Sequence, residues 1–139
     1  MVYHRPQLVN NEIYHVVSRA VGDTVVFNNE KDFYRGIFSI YEFNTLKAIT
    51  IREKRRVRNQ FKKEERENYR CRTSAAPSKE WVDERNRFVD VLAFSFMPNH
   101  LHLILRQLKD IGISEFMKKV NGGYAKLYNE KYKRLGHLF

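Results

Sequence analysis

The chain has 139 residues, 42% of them apolar and 30% charged, which is the size and composition of one globular domain rather than a disordered or fibrous protein. Lysine and arginine outnumber aspartate and glutamate by 26 to 16, and a net charge of +10 favours a polyanionic partner, most often nucleic acid. A single cysteine, Cys71, excludes an internal disulfide, and no apolar run approaches the roughly 20 residues that span a bilayer, so we expect a cytoplasmic protein with no membrane partner.

The first part of the chain predicts a strand and a helix. Residues 12–19 (EIYHVVSR) alternate as strand residues do, with His15 in the middle. Asn28 or Asn29 is a suitable N-cap for the helix that follows, because a short polar side chain there accepts a hydrogen bond from the first turn. An apolar stripe at helical spacing predicts that this helix runs over about 30–46.

A charged block follows, from about residue 48 to about residue 86. Its centre, IREKRRVRNQFKKEERENYR at 51–70, holds nine Lys and Arg and four Glu with few apolar anchors, which indicates an insertion between core elements. This run is either a solvated charged helix or loop, or an arm that contacts phosphates.

The last part of the chain predicts two strands and a long helix. Residues 88–97 (FVDVLAFSFM) and 100–106 (HLHLILR) have strand character, and Pro98-Asn99 between them predicts a turn, so the two strands are antiparallel. Apolar residues at spacings of three and four then predict an amphipathic helix that begins near 111–114 and ends near Arg134. The element order predicts an α+β fold, a ferredoxin-like antiparallel sheet with helices packed on one face, in a single domain over 1–139.

Two histidines, His100 and His102, interrupt the otherwise apolar third strand. Residues i and i+2 of a strand share a face, so the imidazoles stand side by side while the leucines between them point the other way. The pair either holds one divalent cation or is a pair of hydrogen-bonded, half-exposed histidines. Imidazole ligands alone favour Mn, Zn or Ni over Mg. His15 on the first strand is either a residue near this site or a satisfied core histidine.

The segment MPNHLHLIL closely resembles the central motif of the HUH single-strand DNA transposases, in particular the REP-associated tyrosine transposases of the IS200-like type. In that motif two histidines flank a bulky apolar residue, here His100, Leu101 and His102. Three further segments look like the family's first strand, its first helix, and its second long helix with the segment beyond: IYHVVSRA, FNNEKDFYRGIFSI and ISEFMKKVNGGYAKLYNEKYKRLGHLF.

The resemblance implies a protein, usually a homodimer, that binds single-stranded or hairpin DNA. It implies that a tyrosine attacks the DNA backbone to form a 5′-phosphotyrosine link, with Mg or Mn, held by the two histidines, polarising the scissile phosphate. The family carries that tyrosine, and a third amide-type metal ligand, on a helix after the GHLF-like segment, so we expect both to lie beyond Phe139. Tyr124 is the best candidate inside the chain, although its place on the apolar stripe indicates core packing instead.

Two functions therefore stay open. The chain is a DNA transposase domain without its nucleophile, or a non-catalytic nucleic-acid-binding protein that keeps the transposase fold; whether it is an enzyme is left undecided. With the charge balance and the resemblance together, the basic residues most favoured as DNA contacts are Arg19, Arg55, Arg56, Arg106, Lys118 and Lys119.

Overall fold

The computed structural model describes residues 7–22, 24–47 and 85–139, together with six positions in the charged block: Arg56, Asn59, Gln60, Lys62, Lys63 and Arg66. The chain divides into two compact units, one made of Met1–Leu46 and Asn86–Phe139 and the other of Lys47–Arg85. Every element described below belongs to the first unit. The prediction for 51–70, a charged helix or a phosphate-contacting arm, lies almost wholly outside the described residues.

The described elements of the first unit are three strands and two helices. They are β1 (Ile13–Arg19), α1 (Glu30–Glu42), β2 (Val89–Met97), β3 (His100–Gln107) and α2 (Gly112–Tyr132). The strands form one sheet in the order β1-β3-β2, and both pairings are antiparallel. The predicted α+β fold with an antiparallel sheet is confirmed, and no helix in this part of the chain is long and apolar enough to cross a membrane.

The central strand β3 separates two environments. Leu101, Leu103 and Leu105 are buried and pack with apolar residues of both helices, among them Ile40 and Phe116. The residues between these leucines point to the opposite face of the sheet. We call that opposite face the histidine face; it carries Ile13, His15, Val17 and Arg19 from β1 and His100, His102, Ile104 and Arg106 from β3.

The first helix begins as predicted and ends earlier than predicted. Asn29 is the N-cap, and its side chain accepts a hydrogen bond from the backbone N–H of Asp32 at 3.1 Å. The expected continuation to residue 46 is wrong: the helix ends at Glu42, and Asn44 just beyond it is bonded to the start of β2. There the buried Asn44 side chain accepts from the N–H groups of Phe88 and Val89 at 3.0 and 3.2 Å and donates to the Val89 carbonyl at 2.7 Å. These three bonds hold the exit of α1 against the start of β2.

The second helix also ends slightly before its predicted limit. Its last residue is Tyr132 rather than Arg134, because Lys133 adopts a left-handed conformation with φ of 52° and returns its N–H to the Asn129 carbonyl. The end of α2 is tied to the start of α1 by Asp32, which accepts hydrogen bonds from Lys131 at 2.6 Å and from the Tyr132 hydroxyl at 3.1 Å. The buried carboxylate of Asp32 thus has charged and neutral donors.

Tyr124 lies in the core of the helix layer. Its side chain is buried beside Phe27, and its hydroxyl donates to the carbonyl oxygen of Val26 at 3.2 Å. Desolvation by this burial raises the pKa of Tyr124, and the nearby Asp32 carboxylate raises it further. The phenol is therefore held neutral and turned away from solvent, as its place on the apolar stripe predicts.

The adjacent Gly122 and Gly123 in α2 face different surroundings. A Cβ on Gly122 would meet no atom within 4 Å, whereas a Cβ on Gly123 would overlap the ring of Phe43, which packs against that glycine from the end of α1. We expect Gly122→Ala to stabilise the fold by about 0.5–1 kcal/mol, because alanine loses less backbone entropy in a helix. We expect Gly123→Ala to destabilise it by about 1–3 kcal/mol through overpacking. Urea denaturation of both variants measures the difference; equal effects of the two substitutions would contradict the packing of Phe43 on Gly123.

The burial of Tyr124 predicts a pH dependence of stability. The buried neutral phenol contributes to the free energy of unfolding in full below about pH 10, which is the pKa of tyrosine in the unfolded chain. That contribution is lost as the pH rises through the higher pKa of Tyr124 in the folded protein. Denaturation between about pH 8 and pH 11 should therefore show a steeper alkaline loss of stability in the wild type than in Tyr124→Phe. Near neutral pH, Tyr124→Phe should cost about 1 kcal/mol for the lost hydrogen bond. Tyr34→Phe, at an exposed position on α1, should cost nothing there. If the stability of wild type and of Tyr124→Phe falls with pH at the same rate, the Tyr124 hydroxyl is exposed to solvent and the account of its burial is wrong.

Candidate metal and nucleic-acid site

His100 and His102 stand side by side on the histidine face, as their spacing predicts. Their ring centroids are 4.7 Å apart and the ring planes meet at 71°. Across the sheet, His100 pairs with Arg19 and His102 pairs with Val17 on β1. Both imidazoles are half-exposed, in contrast to the buried leucine between them. The two rings are therefore open to a ligand that approaches this face.

The turn before β3 orients the first of the two imidazoles. The side-chain oxygen of Asn99 lies 2.7 Å from Nδ1 of His100. The turn itself is fixed by its backbone, because the Asn99 carbonyl accepts from Ala20 and the Pro98 carbonyl accepts from Val26 and Phe27. The Pro-Asn pair thus holds the turn and also contacts the imidazole that follows it.

A third histidine, His15 of β1, contacts the second imidazole. Its Nε2 lies 2.9 Å from Nδ1 of His102, and the two rings are nearly parallel, at 10° with centroids 5.1 Å apart. The sequence left His15 either near the site or in the core; it lies on the exposed face beside His102. The register of β1 against β3 brings His15 next to His102. The alternation of side chains within β1 alone does not determine that position.

These contacts engage the same nitrogen in each of the two candidate ligands. Nδ1 is engaged in both His100 and His102, so Nε2 is the nitrogen left for a ligand. Within the part of the chain that the structure describes, no group of three or more His, Cys, Asp or Glu side chains is arranged to hold a metal ion. The two imidazoles would suit a divalent cation whose remaining ligands would be oxygen atoms of water or phosphate.

The protonation of His102 suits a ligand role. Partial burial lowers the pKa of His102, and the neighbouring His100 and His15 lower it further because a second positive charge beside either ring is unfavourable. A metal binds the neutral form of imidazole, so this shift keeps the ring in its binding form at neutral pH.

The arginines predicted to contact DNA differ in position and in their ion pairs. Arg19 is exposed on the histidine face, directly across from His100. Arg106 shares that face, but its guanidinium lies 3.8 Å from the carboxylate of Asp90, which also pairs with Arg87 at 2.9 Å. Arg56 is exposed in the charged block, and Arg55 lies outside the described residues.

The two lysines predicted on α2 lie in the helix layer, behind the sheet as seen from the histidines. Lys118 is exposed and lies 3.9 Å from Glu115. Lys119 donates to the Thr45 carbonyl at 2.7 Å and lies over the ring of Phe88. A DNA strand seated on the histidine face would not reach these lysines without passing around the edge of the sheet.

The tyrosines that the structure describes all belong to the helix side of the sheet. Tyr14 alternates with His15 on β1 and accepts a hydrogen bond from the N–H of Val9, and the hydroxyl of Tyr128 donates to the Val25 carbonyl. The full set is Tyr14, Tyr34, Tyr41, Tyr124, Tyr128 and Tyr132. None of these six stands on the histidine face.

Comparison with known proteins identifies the family. The family model described as Transposase IS200 like matches residues 49–139, a range that includes β2, β3, α2 and both histidines of the pair. No curated protein and no solved structure matches the chain. Because the family match covers more than half of the chain and includes the histidine pair, this protein belongs to the IS200-like transposase family.

Proposed function

We propose that this IS200-like transposase chain binds single-stranded or hairpin DNA across the histidine face and supports metal-dependent cleavage and transfer of the strand there. One observation carries the proposal: two half-exposed imidazoles, each with its Nδ1 engaged, stand next to an exposed arginine on a sheet face that also has exposed apolar side chains. Val17 and Met97, both exposed there, offer apolar contact to bases or sugars.

The described residues have distinct parts in the proposed reaction. His100 and His102 would hold Mg or Mn, which when bound acts as a Lewis acid on the scissile phosphate. Arg19, across from His100, would bind a nonbridging phosphate oxygen and fix the strand along the sheet. Holding the phosphate between these groups aligns it for in-line attack.

The nucleophile of the proposed reaction is a tyrosine outside the six that the structure describes. Its hydroxyl oxygen would lose its proton to a base and form a bond to the phosphorus. The bond from phosphorus to the 3′ oxygen of the preceding nucleotide would break, and that oxygen would take up a proton from the base or from water to leave as a free hydroxyl. Tyr124 does not suit this role, because its buried hydroxyl is bonded to Val26 on the far side of the sheet.

That placement of the tyrosines also favours a second function. A non-catalytic nucleic-acid-binding protein would use the same histidine face and the same arginine without needing a tyrosine there. The homodimer that the family resemblance implies stays a prediction for either function.

DNA binding should depend on the histidine face and not on the helix layer. We expect Arg19→Ala to weaken binding of a single-stranded or hairpin oligonucleotide and to reduce the slope of log affinity against log salt by about 0.7, the value for one lost phosphate contact on a single strand. Lys118→Ala, which removes one exposed charge from α2, is the matched control and should leave both quantities unchanged. Fluorescence anisotropy at several salt concentrations, with blunt duplex DNA as competitor, provides the measurement. A larger effect of Lys118→Ala than of Arg19→Ala would contradict the proposed face.

Strand cleavage provides the separate test of catalysis. The chain is incubated with a hairpin oligonucleotide and Mn²⁺, and denaturing electrophoresis reports any covalent protein–DNA adduct. We expect no adduct formed through Tyr124, so wild type and Tyr124→Phe should give the same result. An adduct that Tyr124→Phe removes would make Tyr124 the nucleophile. An adduct that persists in Tyr124→Phe would place the nucleophile at another tyrosine and support the catalytic function.

A further inference from the structure

We propose that His15 is a positioning residue for His102: it fixes the His102 ring in the tautomer that carries its hydrogen on Nδ1 and so presents the Nε2 lone pair to the histidine face. The inference builds on the proposed metal site, but it concerns a residue outside the two-histidine motif. It rests on the short contact between Nε2 of His15 and Nδ1 of His102.

The contact between the two rings requires one hydrogen and one lone pair. A neutral imidazole carries its hydrogen on only one of its nitrogens, so the 2.9 Å contact has two possible assignments. If His102 donates from Nδ1, its Nε2 is a lone pair that can bind a metal ion. If His15 donates from Nε2, the hydrogen of His102 sits on Nε2 and blocks that nitrogen. Only the first assignment is compatible with His102 as a ligand through Nε2.

The geometry of the neighbouring ligand matches the first assignment. The oxygen of Asn99 can only accept, so Nδ1 of His100 donates to it and Nε2 of His100 is the free lone pair. With His15 accepting from His102, both histidines present the same nitrogen to the same face. Metal-bound histidines in proteins commonly donate their other ring N–H to such a partner, which fixes the tautomer and the ring orientation.

The sheet holds His15 where this contact needs it. His15 pairs with Ile104 and Val17 pairs with His102, so His15 is a diagonal cross-strand neighbour of His102. Diagonal neighbours are within reach of each other when both side chains are long. The nearly parallel rings place the two nitrogens edge to edge rather than over each other's faces.

The test combines a readout of the tautomer with a readout of metal binding. Long-range ¹H–¹⁵N correlation spectra at about pH 8, where histidine is neutral, report which ring nitrogen of His102 carries the hydrogen. Mn²⁺ affinity is measured on the full chain by the electron paramagnetic resonance signal of the free ion. The variants are His15→Ala, which removes the acceptor, and His15→Gln, whose side-chain oxygen can accept in place of Nε2. Ile13→Val is a control on the same strand and face, at an exposed position paired with Arg106, and it stays close to the wild-type shape.

We expect the wild type and Ile13→Val to show the hydrogen of His102 on Nδ1. His15→Ala should release His102 into a mixture of both tautomers and weaken Mn²⁺ binding about 10-fold or more, in the range measured for partners of metal-bound histidines. His15→Gln should restore most of the affinity and the Nδ1 tautomer.

Three results would overturn the inference. They are an unchanged His102 tautomer in His15→Ala, an unchanged Mn²⁺ affinity in that variant, and a spin-echo signal showing that His15 itself binds Mn²⁺. A His102→Ala variant separates this inference from the proposed function. If it leaves Mn²⁺ affinity at the wild-type value, the proposed metal site is wrong, and the tautomer spectra alone then decide the role of His15.

Discussion

The alternation of β3 is the constraint on which the rest of this structure depends. Its leucines are buried against the helices, and that burial fixes which way every other side chain of the strand must point. Sliding β3 by one residue against its neighbours would bury His100 and His102 and expose three leucines, at a cost of several kcal/mol in lost apolar burial alone. The packing energy of one face therefore also determines the arrangement of the polar groups on the other.

The histidine pair depends on its neighbours as well as on its own strand. Asn99 in the turn and His15 on β1 each contact Nδ1 of one imidazole, so the two rings are held from opposite sides by different parts of the sequence. The antiparallel pairing of β1 with β3 brings His15 and Arg19 to the same face as the pair. A sheet face built in this way would hold the proposed metal-binding pair and the proposed phosphate-binding arginine in place before any ligand arrives, which would reduce the entropy lost on binding.

Local patterns predicted much of this fold because much of it is determined locally. The period of two in HLHLILR predicts the two faces of β3, and the N-cap before Glu30 predicts where α1 begins. The end of α1 could not be predicted, because the Asn44 side chain that terminates it binds backbone groups 44 and 45 positions further along the chain. The contact between His15 and His102 spans 87 positions and depends on strand register, which no motif in β1 encodes. The contact between Lys119 and the Thr45 carbonyl is not predictable from local sequence for the same reason, because the two residues are 74 positions apart.

The most direct test of this account is a crystal structure of the chain grown with Mn²⁺ and a short single-stranded oligonucleotide, with the ion located by its anomalous scattering. The account predicts one Mn²⁺ bound by Nε2 of both His100 and His102, with His15 still in contact with Nδ1 of His102 and a phosphate of the DNA at Arg19. Mn²⁺ bound away from the two histidines, or DNA lying along α2 with the histidine face bare, would contradict it.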